Sequence, residues 1–113
     1  MDLYEEILAL MNELTKSIKV LKQNGVKLAE AERDYKITLR TEALKLRVDN
    51  TPVTLINQII YGVPSVADLR LKRDIADATY KANQEHINIV KLKLRILENQ
   101  LGREWGQAGK GDL

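Results

Sequence analysis

The sequence predicts an all-α fold: a long antiparallel two-helix coiled-coil hairpin with a short helix at the turn, assembled into an oligomeric helical bundle. Apolar residues recur at spacings of four and three over two stretches of about forty residues each. Both prolines, Pro52 and Pro64, lie between these stretches, where a helical chain has to stop or start. A second apolar set lies off the main pattern and requires a further partner.

The first helix is predicted from about residue 2 to about residue 48, because no proline occurs before Pro52 and good helix formers dominate. Its apolar stripe comprises Ile7, Met11, Leu14, Ile18, Leu21, Gly25, Leu28, Glu32, Tyr35, Leu39, Glu42 and Leu46. The pair Asn24-Gly25 is typical of a helix end, so the alternative is a break there with both pieces packed on the second helix. We favour a continuous helix because the stripe keeps its phase across this pair.

The connection "NTPVTLINQIIYGVPSVADL" predicts a short helix over about residues 55–61, capped by Thr54 and ended by Gly62. Four apolar residues of this segment are expected to close the end of the bundle: Leu55, Ile56, Ile59 and Ile60. The segment also resembles a DNA-reading helix-turn-helix, but Asp68 stands where an inward apolar residue is expected. The apolar plug is therefore the favoured interpretation.

The second helix is predicted over about residues 65–105, with Ser65 as its N-cap. Its stripe comprises Val66, Leu69, Arg73, Ala76, Tyr80, Asn83, Ile87, Val90, Leu94, Leu97, Leu101 and Glu104. Residues 1–105 are accordingly expected to form a single helical domain. Residues 106–113 are expected to be a flexible glycine-rich tail.

The register of the two helices can be predicted from the apolar heptad positions, which are called a and d. In an antiparallel coiled coil, each a position of one helix lies opposite a d position of the other. The rule is satisfied when paired residue numbers sum to 115. The pairs that result include Leu14 with Leu101, Tyr35 with Tyr80, Gly25 with Val90, Glu32 with Asn83 and Glu42 with Arg73.

The second apolar set is the predicted oligomer interface. Its members recur on the second helix at spacings of four and three, interrupted only at Glu85. They are Leu71, Ile75, Ala78, Ala82, Ile89, Leu92 and Ile96. Ile37, Leu44 and Val48 lie off the main stripe of the first helix in the same way. Self-association of hairpins would bury these residues.

Two acid-free windows of the sequence predict an anion site. In the derived register they face each other and form one belt, which consists of Lys16, Lys19, Lys22, Lys27, Lys91, Lys93 and Arg95. A belt of this kind is a footprint for nucleic acid or a nucleotide. The alternative is that these cations only keep the middle of the bundle solvated.

Composition excludes several kinds of site. The chain has no cysteine and one histidine, His86, so neither a disulfide framework nor a structural zinc site is expected, and no cofactor is implied. No paired carboxylates and no nucleophile with a base stand out, so we expect no enzymatic activity. The acidic N-terminus and the absence of a long apolar run predict a cytoplasmic protein with no membrane partner.

Three segments carry a resemblance to a group of small helical proteins of phages and prophages of Firmicutes: "LRTEALKLR", "PVTLINQIIYGVPSVADLRLKRDIADATYKANQEHIN" and "KLKLRILENQLGREW". The resemblance implies a non-enzymatic accessory protein in the cytoplasm of the host cell, and it assigns no active-site residue. Such a protein would bind nucleic acid in replication or recombination, or act in counter-defence. The alternative is an adaptor or inhibitor that binds a host or phage protein through an apolar helical face. A structural role in virion assembly is the third hypothesis.

Overall fold

The computed structural model describes the backbone of residues 2–111 and the side chains of residues 2–106. Its elements are α1 (Leu3–Val48), α2 (Val53–Ile59), a 3₁₀ turn (Ile60–Gly62) and α3 (Pro64–Gly111). No strand occurs in residues 2–111, so the predicted all-α hairpin of two long helices with a short helix at the turn is confirmed. The chain forms two compact units: the first joins α1 up to Lys22 with α3 from Ala82 onward, and the second spans Gln23–Lys81.

The N-terminus of α1 is capped by Asp2. Its carboxylate oxygen Oδ1 accepts a hydrogen bond from the backbone N–H of Glu5 at 2.8 Å. Glu5 and Glu6 also place negative charge in the first turn, where the helix dipole favours it. The local sequence therefore accounts for the start of the helix.

The C-terminus of α1 ends in a Schellman motif centred on Asn50, which has φ of 62°. The N–H of Thr51 donates to the carbonyl of Leu46 at 3.0 Å, and the N–H of Asn50 donates to the carbonyl of Arg47 at 3.0 Å. These two bonds satisfy carbonyls that the end of a helix otherwise leaves without a partner. Asparagine is one of the few residues that adopts this left-handed conformation readily.

Helix α1 passes through Asn24-Gly25 without a break, so the alternative of two separate helices is wrong. Gly25 does not adopt a positive φ. A Cβ atom added to it would lie 3.4 Å from Cε2 of Tyr80. This distance is close to an ordinary van der Waals contact, so Gly25 lies inside the helix beside the Tyr80 ring and does not serve as a helix end.

Both caps predicted around the turn are wrong. Helix α2 begins at Val53 and follows Pro52, which is extended and makes no side-chain cap bond, so Thr54 lies inside the helix. Helix α3 begins at Pro64, one residue before Ser65. Proline suits the first helical position because its φ is preset and its missing N–H would have no helical partner there. Pro64 meets this description, whereas Pro52 precedes α2 as its extended N-cap residue.

The core of the second unit lies where α2 meets the two long helices. Its buried residues are Tyr35, Ile56, Ile60 and Val66, and Leu39, Ala43, Leu46, Val63 and Leu69 pack against them. Ile56 and Ile60 lie one helical turn apart and face inward, whereas Leu55 and Ile59 are exposed. The predicted apolar plug is therefore half correct, because it is formed by one face of α2 together with the first residue of the 3₁₀ turn.

The core of the first unit is formed by α1 and α3 alone. Ile7, Val90 and Leu94 are buried, and Leu3, Leu10, Leu14, Leu97 and Leu101 pack against them. Since low-numbered residues of α1 meet high-numbered residues of α3, the two helices run antiparallel in this unit.

The predicted stripe of α3 is confirmed, since eleven of its twelve positions are buried or half-buried and only Glu104 is exposed. The stripe of α1 is partly wrong. Met11 and Ile18 are 50% and 40% exposed, while Leu10 and Ser17 are half-buried in their place. Leu10 and Met11 are adjacent in sequence and both are apolar, so the periodicity alone did not identify which of them faces α3.

Helix α3 continues to Gly111, beyond the predicted end at about residue 105. No proline interrupts residues 106–111, and isolated glycines weaken a helix by only about 1 kcal/mol each. The remainder of the predicted glycine-rich tail, residues 112–113, lies outside the described residues.

Candidate functional site

The outer face of α3 carries an apolar surface that no residue within 2–106 covers. We call the seven residues predicted for the oligomer interface the outer stripe. All seven are exposed, with Leu71 and Ile75 in the second unit at 60% and 57%, and Leu92 and Ile96 in the first unit at 52% and 54%. Ala78, Ala82 and Ile89 are exposed as well. Exposed branched side chains repeated at helical spacing are typical of a surface that binds another protein.

The predicted belt does not form in the first unit, because the predicted register is wrong there. Ile7 packs with Val90 and Leu94. Oε1 of Glu13 lies 3.1 Å from Nε2 of His86. These contacts pair residues whose numbers sum to about 100, not 115.

The register determines where the belt residues lie. Lys91, Lys93 and Arg95 lie level with Ile7, so they are separated along α1 from the other cations of this unit, Lys16, Lys19 and Lys22, by about 13 to 22 Å. At about 100° per residue, Lys93 also points away from Lys91 and Arg95, which lie about 40° apart on one side of α3. Lys27 belongs to the second unit. The contacts therefore do not bring the seven cations into one site.

The predicted register is also wrong in the second unit. The guanidinium carbon of Arg73 lies 4.5 Å from the centre of the Tyr35 ring, where Tyr80 was expected. Tyr80 lies beside Gly25 instead. Several registers satisfy the rule for a and d positions, because the heptad pattern repeats every seven residues. In the register adopted by the second unit, Ile56 and Ile60 are buried in one cluster with Tyr35 and Val66.

The predicted pair of Glu42 with Arg73 is replaced by local pairs on each helix. Lys45 lies 3.2 Å from the carboxylate of Glu42, one turn away on α1. Arg73 donates to Oδ1 of Asp74 from both Nε and Nη2. This hydrogen bond raises the pKa of Arg73 above its ordinary value, so the guanidinium stays charged. Neither pair connects the two helices.

A second charged surface, which the sequence analysis missed, lies on α1 in the second unit. We call Arg33, Lys36, Arg40 and Arg47 the cationic row. All four are exposed, and at about 100° per residue they fall within a sector of about 60° on the outward side of α1. Searching for acid-free windows missed this row because Asp34 and Glu42 interrupt it in sequence. The angular positions of the residues around the helix would have revealed the row, because Asp34 and Glu42 lie outside its 60° sector.

A shallow cleft of the first unit, lined by both apolar and polar side chains, contains the only histidine. Asn12, Glu13, Lys16, Ser17 and His86 line it. Glu13 and His86 are each about half exposed, so their contact contributes about 0 to 1 kcal/mol. Among the described residues, no group of three acidic, histidine or cysteine side chains is arranged to hold a metal ion.

The fold and these surfaces define a class: an all-α helical hairpin with an exposed apolar stripe and an exposed row of cations. The chain matches no protein family, no characterised protein and no solved structure. No helix in the part of the chain that the structure describes is long and apolar enough to cross a membrane.

Proposed function

We propose that this protein is a non-enzymatic accessory protein that works by self-association through the outer stripe of α3. The observation that carries the proposal is the exposure of all seven apolar residues of the outer stripe. The phage setting and the cytoplasm of a host cell, which the sequence resemblance implies, belong to the same proposal.

A second copy of the chain is the partner that we propose for the outer stripe. Each copy presents the same apolar surface, as a two-fold symmetric interface requires.

The spacing along α3 supports the same partner. When Glu85 is counted with the outer stripe, eight positions extend from Leu71 to Ile96. The spacings between them alternate between four and three residues, and both the first and the last spacing are four. The pattern is therefore identical when it is read in either direction. A two-fold symmetric pair of α3 helices needs such a self-complementary pattern, because each surface meets its own copy.

The test is the oligomeric state in solution, measured by light scattering and sedimentation at micromolar concentrations. We expect the unmodified chain to be a dimer or larger. The variant Ile89→Gln/Leu92→Gln/Ile96→Gln removes the stripe of the first unit and should be monomeric with its helix content retained, because these side chains are exposed. Leu71→Gln/Ile75→Gln tests the second unit separately.

The matched control is Met11→Gln/Ile18→Gln, which replaces exposed apolar residues of α1 in the first unit. We expect it to associate like the unmodified chain. A monomeric unmodified chain would refute self-association and would favour the alternative function, in which the outer stripe binds a different protein.

A further inference from the structure

We propose that the cationic row of α1 binds the phosphate backbone of nucleic acid. The proposal does not depend on self-association, because no residue of the row belongs to the outer stripe. Arg33 and Arg47 are fourteen residues apart, so the row extends for about 21 Å along the helix. A duplex presents one phosphate per strand about every 3.4 Å of its axis, so a linear array of this length meets several phosphates.

The pairing state of the side chains supports this assignment. Within the described residues, Lys36, Arg40 and Arg47 make no ion pair, whereas Lys45, Arg73 and Lys81 of the same unit are each paired with a neighbouring carboxylate. Arg33 is bonded to Asp34 at 3.0 Å and is therefore partly neutralised. Three charges of the row are thus available to an external anion.

Asp34 neutralises part of the charge of Arg33, but neither acid within the span of the row lies in the 60° sector of the row. Between Arg33 and Arg47 the helix carries Asp34 and Glu42, which lie about 100° and 180° around the helix from Arg33. Three of the four residues in the row are arginines, whose planar guanidinium groups can bind phosphate oxygens in pairs. No aromatic side chain belongs to the row, so stacking on bases is not part of the proposed binding.

The experiment measures the fluorescence anisotropy of a labelled duplex of about 30 base pairs at several salt concentrations. For each phosphate contact, the logarithm of the binding constant falls by about 0.9 for every tenfold increase in salt concentration. The unmodified chain should bind at low salt with a slope of about −3 to −4. Lys36→Gln/Arg40→Gln/Arg47→Gln should weaken binding at 50 mM salt at least about 30-fold and reduce the slope to about −1.

The matched control is Lys91→Gln/Lys93→Gln/Arg95→Gln, which removes the same charge from the belt predicted by the sequence. Its affinity should stay within about threefold of the unmodified chain, since the release of counterions depends on the cations in contact. An equal loss in both variants would overturn the assignment to the row. Absence of duplex binding at 25 mM salt, or binding only to phosphatidylserine vesicles, would overturn nucleic acid as the ligand.

Discussion

At the scale of single residues, backbone chemistry sets the ends of the helices. Asn50 shows this best, since it adopts φ of 62° and brings two N–H groups to the last carbonyls of α1. This conformation costs a residue other than glycine about 1 to 2 kcal/mol of conformational free energy, and it costs asparagine less than most residues. The sequence near Asn50 therefore indicates the end of α1 without any tertiary contact.

Substitutions at Asn50 should separate this backbone effect from side-chain contacts. Asn50→Ala should lower the free energy of unfolding by about 1 kcal/mol, because alanine resists positive φ. Asn50→Gly should leave stability unchanged or raise it by up to about 1 kcal/mol. Urea denaturation followed by circular dichroism measures both. Destabilisation by glycine equal to that by alanine would show that the asparagine side chain matters instead.

At the scale of elements, the register between α1 and α3 decides which side chains meet. The a and d pattern is compatible with several registers, and the contacts of Glu13 with His86 and of Tyr35 with Arg73 identify the one adopted in each unit. The electrostatic interpretation depends on this choice, because a different register separates the lysines of the predicted belt.

A cysteine crosslinking experiment tests the register in the first unit. The pair Glu13→Cys/His86→Cys should react completely with a short thiol crosslinker, because these positions are in contact. The pair Leu14→Cys/Leu101→Cys, which the sequence register places together, should not react within one chain. Its two positions lie about 20 Å apart along the helices. Efficient crosslinking of the second pair instead of the first would restore the sequence register.

At the scale of the whole molecule, burial is modest and apolar surface remains exposed. The buried core consists of nine hydrophobic residues, and among the described residues no polar or charged residue is buried. A small core gives marginal stability, so association through the outer stripe would contribute to folding as well as to function.

Thermal unfolding should therefore depend on protein concentration. If only the folded chain self-associates, the Tm of the unmodified protein should rise by several degrees over a hundredfold increase in concentration. The variant Ile89→Gln/Leu92→Gln/Ile96→Gln should show a Tm that does not change with concentration. Scanning fluorimetry or calorimetry over this range measures the difference. A constant Tm in both proteins would contradict linkage between folding and association.

The sequence by itself determined the helical class, the turn between Pro52 and Pro64, the inward face of α3 and the outer stripe. These features depend on local propensity and on a periodicity that a single helix already carries. Only the tertiary structure decided the register, the choice of Leu10 over Met11 as the inward residue, and the loss of the belt. The reason is that a heptad pattern repeats, so many alignments of two helices bury similar apolar surface. Burial of Ile56 and Ile60 with Tyr35 and Val66 adds apolar contacts that the heptad pattern of the two long helices does not encode.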